Sequence, residues 1–401
     1  MSDMEYVKLK DITTKITKGT TPSNIGASFT DEGINYFRSE MLGKAKHLDK
    51  SSGMMFISES THNKLKRSQI EANDILFSMA GIYLGKLAIV KDEDVPANTN
   101  QAVALIRFNK GVNIDYLYYF MVQKSFNAYV NCMSAQAAQP NINLKQIGNL
   151  QIALPTDERQ KRIADILSNY DNLIENNNKR IKLLEQMAEN LYKEWFVRFR
   201  FPGYEDVEFE EKKPRGWQVG TEDKKHFTPT IFKYGELRKI GSFVRGKNIT
   251  AANMIEGAVP VISAGLQPSG YHNEANVYGA SLTISASGAN AGYLQYHLQD
   301  IWTADCSYYQ DDATIWFVYN TLKYIQSVIS NLQCGAAQPH VYPKNINKLC
   351  VLIPTEELIY KFNEYVKPYY DEIKIFNQRN QLLTKQRDML LPRLMSGKLE
   401  V

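Results

Sequence analysis

Two pairs of short segments carry residues suited to holding a polyanion. Ile75 to Gly85 reads ILFSMAGIYLG and Leu282 to Gly292 reads LTISASGANAG, which aligns Ser78 with Ser285, Gly81 with Gly288 and Gly85 with Gly292. Each reads as a strand followed by a glycine-rich loop. There, backbone N–H groups and small hydroxyls suit contact with a phosphate or a base edge, because glycine lets the chain approach a ligand closely. A tight turn between two strands would need the same residues. The second pair, KITKGTTPS (Lys15 to Ser23) and FVRGKNIT (Phe243 to Thr250), forms basic, glycine-containing loops. Lys15, Lys18, Gly19, Thr20, Arg245 and Lys247 are the phosphate-contact candidates there, against the alternative of ordinary solvated cations.

Catalytic patterns are weaker. Gly241 to Asn248, GSFVRGKN, nearly matches the phosphate-binding loop GxxxxGK[ST], but Asn248 cannot supply the magnesium-ligating hydroxyl and no long amphipathic helix pattern comes after it. The ExK of Glu210, Glu211 and Lys212, near Asp206, sits in a charged segment without a flanking strand pattern, where such triplets arise by chance. GxSxG, HExxH and the Pro-Pro methyl-donor motifs are absent from the sequence. Cys132, Cys306, Cys334 and Cys350 have no CxxC spacing and the six histidines are scattered, so neither a zinc site nor a disulfide framework is expected.

With 401 residues, 44% hydrophobic and 22% charged, the chain can bury more than one core. A net charge of +4 permits a polyanionic partner without demanding one. No run of 18 apolar residues and no apolar segment near Met1 is present, so a cytoplasmic protein is expected.

The elements that must position these loops are announced by a repeat. AAQP at 137–140 recurs at 336–339, and at this offset of 199 residues ten of the 22 positions from Ala137 to Glu158 are identical. So long a period means two copies of a domain with its connecting segment. After each copy comes a β-like stretch (147–154 and 346–353), then Pro-Thr-acid. Thr156 and Thr355 read as N-caps, with acidic residues at the positive end of the helix dipole.

Two heptad patterns of about 40 residues come next, roughly 60 Å of helix each. The first places Ile163, Tyr170, Asn177, Leu184 and Leu191 at a, and Leu167, Ile174, Ile181, Ala188 and Trp195 at d. In the second, a is Phe362, Tyr369, Phe376, Leu383 and Leu390, and d is Val366, Ile373, Asn380, Arg387 and Leu394. Each helix could pack on its own domain; antiparallel packing on each other is the sharper expectation. One register sets Asn177 opposite Asn380 as a polar, register-fixing layer, Trp195 opposite Phe362 and Ile163 opposite Leu394. It leaves Tyr170 against Arg387, whose guanidinium would lie on the ring or reach solvent.

Before each AAQP lies a β-rich module with strand patterns such as INYFR, AVALIRF, VPVIS and ATIWFVY. A charged segment at 201–232, containing EFEEKKPRGW, reads as an extended, exposed linker. The fold class is α+β: modules at 1–155 and 233–354, a central helix at 156–200, the linker, and a distal helix at 355–401. The two helices are expected to form an antiparallel coiled coil, with the modules in a pseudo-two-fold arrangement.

The order of these parts resembles the specificity subunit of type I restriction-modification systems. The resemblance covers essentially the whole chain and is carried most specifically by Gln139 to Thr156, by LYKEWFVRFRFP (Leu191 to Pro202) and by LLPRLMSGKLEV (Leu390 to Val401). His340, Val341 and Tyr342 depart from the Asn141, Ile142 and Asn143 of the first copy, and the second helix lacks the aromatic ending. The resemblance implies two target recognition domains, each reading half of an asymmetric bipartite site in double-stranded DNA. It also implies helices that act as spacer and dock two methyltransferase subunits, with restriction and translocase subunits joining through the complex. S-adenosylmethionine, ATP and Mg would then be used by the partner subunits, leaving this chain without a catalytic role. Arg38, Ser39, Ser78, Ser263, Ser285, Ser287 and Asn290, polar and at strand ends or loops, are the base-contact candidates. Competing readings are a coiled-coil adaptor with two ligand-binding modules, and a cryptic methyltransferase or nuclease.

Overall fold

In the computed structural model, which describes residues 4–134, 140–211, 227–333 and 339–400, the alternating apolar pattern of the first module becomes sheet. Its strands are β1 (Glu5–Lys8), β2 (Thr13–Lys18), β3 (Phe29–Thr30), β4 (Ile34–Phe37), β5 (Met55–Ile57), β6 (Ile75–Ser78), β7 (Leu87–Ile89), β8 (Ala97–Thr99), β9 (Val103–Phe108) and β10 (Gln151–Leu154). β2, β9, β6 and β7 form one antiparallel sheet, and β3, β5, β4 and β8 another in which β4 and β8 run parallel. β1 and β10 close a separate ribbon. Successive residues of β6 face opposite ways, so Ile75 and Phe77 enter the core beneath the helices while Leu76 enters a second cluster with Phe37, Leu105 and Val103.

The second module repeats this plan. After a short hairpin, β11 (Phe209–Glu211) with β12 (Phe227–Pro229), come β13 (Lys233–Glu236), β14 (Val244–Arg245), β15 (Val259–Ile262), β16 (Gly270–His272), β17 (Ser281–Ser285), β18 (Leu294–His297), β19 (Trp302–Thr303), β20 (Cys306–Tyr309) and β21 (Cys350–Ile353). The order β14-β20-β17-β18 matches β2-β9-β6-β7, the parallel pair β15 and β19 matches β4 and β8, and the ribbon β13-β21 matches β1-β10. The duplication inferred from AAQP therefore extends to strand order, although Ala137 to Gln139 and Ala336 to Gln338 themselves lie outside the described residues.

Three expectations change, two in the modules and one in the helices. ATIWFVY is not a strand: Ile315–Tyr324 is a helix. Asp311 starts it, its carboxylate accepting from the Ala313 N–H at 3.0 Å and its carbonyl from the Ile315 N–H at 2.9 Å. Every residue from Ile315 to Leu322 is buried, and a helix buried all round has no polar face to reveal its period. Nor is 201–232 an extended, exposed linker throughout. Phe201 and Phe232 lie in the second module's core, with ring centroids 5.0 Å apart, and the hairpin β11-β12 stands between them in sequence. Lys212 to His226, including the lysine of the ExK triplet, lies outside the described residues.

The central helix spans Asp157–Tyr192 and ends in a π turn at Lys193–Val197; the distal helix spans Glu356–Met395. The Thr355 hydroxyl caps the latter by accepting from the Leu358 N–H at 3.4 Å. The chain divides into a unit of residues 1–176 with 379–401 and a unit of residues 177–378, and both helices contribute a segment to each. In the first unit Ile163 and Leu167 from the start of the central helix share a core with Leu390 and Leu394 from the end of the distal one. In the second, Trp195 meets Phe362 at 5.8 Å, while Leu184 and Ile373 belong to the same core. Within each unit the two helical segments thus run antiparallel, and every predicted a and d position is buried or half-buried, as are neighbours such as Asp171, Tyr192 and Tyr370 that face the modules.

The Arg387 layer differs from expectation. Its guanidinium pairs with Asp171 at 2.5 Å and with Asp388 at 2.8 Å, rather than lying on Tyr170 or reaching water. A neighbouring carboxylate is the stronger partner for a half-buried guanidinium. Asp171 in turn accepts from the Tyr119 hydroxyl at 2.5 Å; beside it, buried Lys46 reaches Asp115 at 2.8 Å and Ser168 at 2.9 Å. The first module is thereby tied to both helical segments of its unit by a polar network. The second is tied by aromatic packing: LYKEWFVRFRFP supplies Tyr192, Trp195, Phe196, Phe199 and Phe201 to a cluster with Phe232, Phe317 and Phe362. Because Phe362 is fully buried at its centre, Phe362→Ala is expected to destabilise this unit by about 3–5 kcal/mol, read as an earlier midpoint in urea unfolding followed by tryptophan fluorescence.

Candidate nucleic-acid interface

Strand direction collects the predicted loops. The end of β2, the start of β9, the end of β6 and the start of β7 lie at one edge of the sheet, and the parallel strands β4 and β8 end there too. Backbone hydrogen bonds join the loops at this edge. Gly19 N–H donates to Val103 C=O at 3.2 Å, Thr20 N–H to Thr99 C=O at 3.0 Å, and Met79 N–H to Ala102 C=O at 2.8 Å. The Thr99 hydroxyl donates to Phe37 C=O at 2.9 Å, and the Tyr36 phenol to Thr20 C=O at 3.2 Å. Burial pushes that phenol up to about 12, so it stays a neutral donor. The glycine-rich segment is the β6-β7 connection, with Gly85 N–H donating to Ser78 C=O at 3.0 Å. Gly81 N–H reaches Pro140 C=O at 3.0 Å, which brings the end of the AAQP segment onto the glycine loop.

The second module uses the same bonds with different side chains. Gly246 N–H donates to Cys306 C=O at 2.9 Å, Lys247 N–H to Thr303 C=O at 2.9 Å, Ala286 N–H to Asp305 C=O at 3.3 Å, Gly292 N–H to Ser285 C=O at 2.8 Å, and Gly288 N–H to Pro339 C=O at 3.1 Å. Gly19 corresponds to Gly246, Ala80 to Ser287, and Ala102 to Asp305. Burial pushes the Cys306 thiol up to about 12 and the His297 imidazole down to about 4, which makes both neutral packing groups at neutral pH.

Most predicted site residues therefore meet at these two loop ends, though not all on the surface. Lys18, Arg245 and Lys247 are exposed; Lys15, Thr20, Arg38, Ser39, Gly81, Ser263, Gly288 and Asn290 are half-buried. Ser78, Ser285 and Ser287 are buried, so they are corrected from base contacts to framework groups. Ser285 donates to Ala264 C=O at 2.9 Å and Ser287 to Asp305. A strand-end serine looks alike in sequence whether it faces water or the next strand. Arg38 pairs with Glu40 at 3.0 Å, and Arg245 with Asp305, which offsets its charge toward a phosphate. Lys15 lies lower on β2, in a shallow cleft with Lys10 and Lys145. The 241–248 segment forms β14 and its following turn, and the short 3-10 turn Ala251–Asn253 comes next.

Some residues at the loop ends escaped sequence reasoning. Thr21 bonds Gln101 across the loops, Asp305 holds both Arg245 and Ser287, and Lys247 lies 5.8 Å over the Trp302 ring. Ile82, at the tip of the first glycine loop, is 89% exposed. The β8-β9 and β19-β20 connections carry no glycine signature, and only the loop that they touch was visible as a motif. Among the described residues no group of three or more His, Cys, Asp or Glu could hold a metal ion.

The arrangement defines a class: a protein of two like modules, each with a loop end suited to a nucleic acid and each built onto segments of the same two long helices. Residues 1–186 match the family described as type I restriction modification DNA specificity domain. The MjaIX type I restriction enzyme specificity subunit of Methanocaldococcus jannaschii is 27% identical over 416 residues, covering 100% of this chain and 94% of that protein. The HindI specificity subunit of Haemophilus influenzae is 21% identical over 410 residues, covering 83% and 88%. Among solved structures, the type I restriction-modification system S subunit from M. genitalium has a similar fold, with a TM-score of 0.56 at 17% identity over 98% of this chain and 96% of that one. The chain resembles the specificity subunits of type I restriction-modification systems along its whole length.

The loop ends make a stability prediction. A Cβ on Gly19 would sit 1.8 Å from Thr99 O, and one on Gly246 2.6 Å from Ala304 O, whereas one on Gly81 meets nothing. Gly19→Ala and Gly246→Ala must displace backbone and are expected to cost roughly 3 kcal/mol, the upper end of what overpacking typically costs. Gly81→Ala, strained only by its φ of +67°, should cost about 1 kcal/mol. Thermal unfolding of the three variants measures the order.

Proposed function

We infer that this chain is the DNA specificity subunit of a type I restriction-modification system, itself non-catalytic. Its two modules each read one half of an asymmetric, interrupted site in double-stranded DNA. The observation that carries this is the pair of loop ends with one backbone hydrogen-bond pattern and different side chains. Like frames presented twice suit one duplex read at two places, and unlike side chains suit two different half-sites. Lys18, Thr20, Gly81, Lys247 and Gly288 set position on phosphates, with Lys15 farther along β2, while Gly19, buried and bonded to Val103 C=O, is corrected from a phosphate contact to a framework group. Arg38, Ser39, Ser263 and Asn290 are the base-contacting candidates, and Arg245 reads or positions according to how Asp305 holds it.

The central and distal helices are the spacer and dock two methyltransferase subunits, through which restriction and translocase subunits join. S-adenosylmethionine, ATP and Mg act on those partners. A subunit that reads DNA in this way works in the cytoplasm, and no described helix is long and apolar enough to cross a membrane. Asn177 and Asn380, in the middle of the heptad patterns, are the register pair of this reading.

Exchange of residues 1–155 for another module, followed by methylation sequencing of a host that carries the partner subunits, should change one half of the modified site and leave the other intact; a change in both halves refutes the modular reading. Cysteines placed at 177 and 380 in a Cys132→Ser background should join on oxidation, whereas a register displaced by a heptad would leave both thiols free on denaturing gels.

A further inference from the structure

The first module carries a segment that the second lacks. Between β5 and β6 it has the helix Glu59–Lys64 and the 3-10 turn Lys66–Ser68, a stretch reading ESTHNKLKRS, with Lys64, Lys66 and Arg67 exposed. The corresponding connection of the second module, residues 273–280, reads NEANVYGA and has no lysine or arginine.

The segment is held rigidly. Ser58 caps the helix by accepting from the Thr61 N–H at 3.2 Å. Fully buried Asn98, on β8, donates to Leu65 C=O and to Ser68 Oγ, each at 3.3 Å, and bonds His62 through its Oδ1. Gln69 donates to His62 C=O at 3.1 Å. Asn98 directly precedes Thr99, whose carbonyl receives the Thr20 N–H, so one strand end fixes both this segment and the β2 loop. Arg67 closes the gap, with its guanidinium 3.4 Å from the Thr20 hydroxyl.

Lys18, Lys64, Lys66 and Arg67 thus line one border of the loop end, and among the described residues none has an ion-pair partner. Glu59, at the opposite end of the short helix, is the segment's one acid. Lys64 complements the helix C-terminus. Lys66 and Arg67 lie beyond that helix, in the turn after it. By contrast, Arg38 and Arg245 at the loop ends are already paired with Glu40 and Asp305.

We propose that Lys64, Lys66 and Arg67 form a phosphate clamp, peculiar to the first module, that grips the DNA backbone beside that module's half-site without reading bases. The clamp rests on the DNA-reading function inferred above. It makes the two modules unequal: the first contributes more of the salt-sensitive, sequence-independent affinity, and the second relies more on its base contacts.

The test measures binding of the full-length chain to a duplex carrying the site found by methylation sequencing, and to a scrambled duplex, across a series of salt concentrations. Each phosphate contact contributes roughly 0.9 to the slope of log affinity against log salt. Lys64→Gln/Lys66→Gln/Arg67→Gln is expected to lower that slope by about 2–3 on both duplexes, with the ratio between them kept within about twofold. Lys110→Gln/Lys385→Gln/Lys398→Gln, which removes equal charge from exposed positions of the same unit, should leave the slope unchanged, and Arg67→Lys should retain it. An unchanged slope in the clamp variant, an equal fall in the control, or a loss confined to the target duplex overturns the clamp. Failure of the unaltered chain to prefer the target duplex would instead overturn the function on which the clamp rests.

Discussion

The loop ends depend on one close approach. At Gly19 the main chain passes so near the Thr99 carbonyl that a side chain has no room, and at Gly246 it passes the Thr303 and Ala304 carbonyls in the same way. With the strands brought this close, the backbone groups of three loops satisfy one another, leaving side chains free to vary. The frame is thus made of main chain. A surface whose shape is set by backbone bonds can change its polar residues without losing its shape.

The modules solve their attachment to the helices differently. In the first, Lys46, Asp115, Ser168, Tyr119, Asp171 and Arg387 make a buried or half-buried network. In the second, Tyr370 stands where the offset of 199 residues places Asp171, stacks on Trp316 at 3.5 Å, and is 3.4 Å from Asn320. Tyr296 donates to Glu185 at 2.5 Å beside it. Buried ion pairs contribute little net stability over apolar packing because desolvation offsets their attraction, yet losing one partner strands the other at high cost. The first attachment is therefore selective about geometry, and the second draws its strength from buried aromatic area.

How much of this could be read in advance depends on the kind of signal. Helices with a heptad period, capped at Thr355 and carrying apolar residues on one stripe, show their type and their packing face in the residues alone. The pairing of Ser78, Gly81 and Gly85 with Ser285, Gly288 and Gly292 was legible because glycines in a turn are local requirements. Features set by tertiary neighbours were not. Ile315 to Leu322 is buried on every side and so carries no clear period, and the preference of Arg387 for Asp171 over Tyr170 is decided by one residue of rotation on a helix. The burial of Ser78, Ser285 and Ser287 belongs to this group, since alternation shows which strand residues share a face but not whether a further loop covers it.

The variation that remains lies where a reading surface would have it. Between the two loop ends Lys18 becomes Arg245, Ala80 becomes Ser287 and Ala102 becomes Asp305, while the backbone bonds at these positions persist. The three changes belong together, because the carboxylate of Asp305 needs Arg245 and Ser287 to hold it, whereas two alanines leave Lys18 unpaired. A carboxylate fixed in this way can accept from a base amino group, and a free lysine favours a phosphate or a guanine edge. The unit of variation is therefore a coupled set across three loops. Exchanging a single residue would break a bond in the second module and leave an unpartnered group in the first, and a preference should move only with the set.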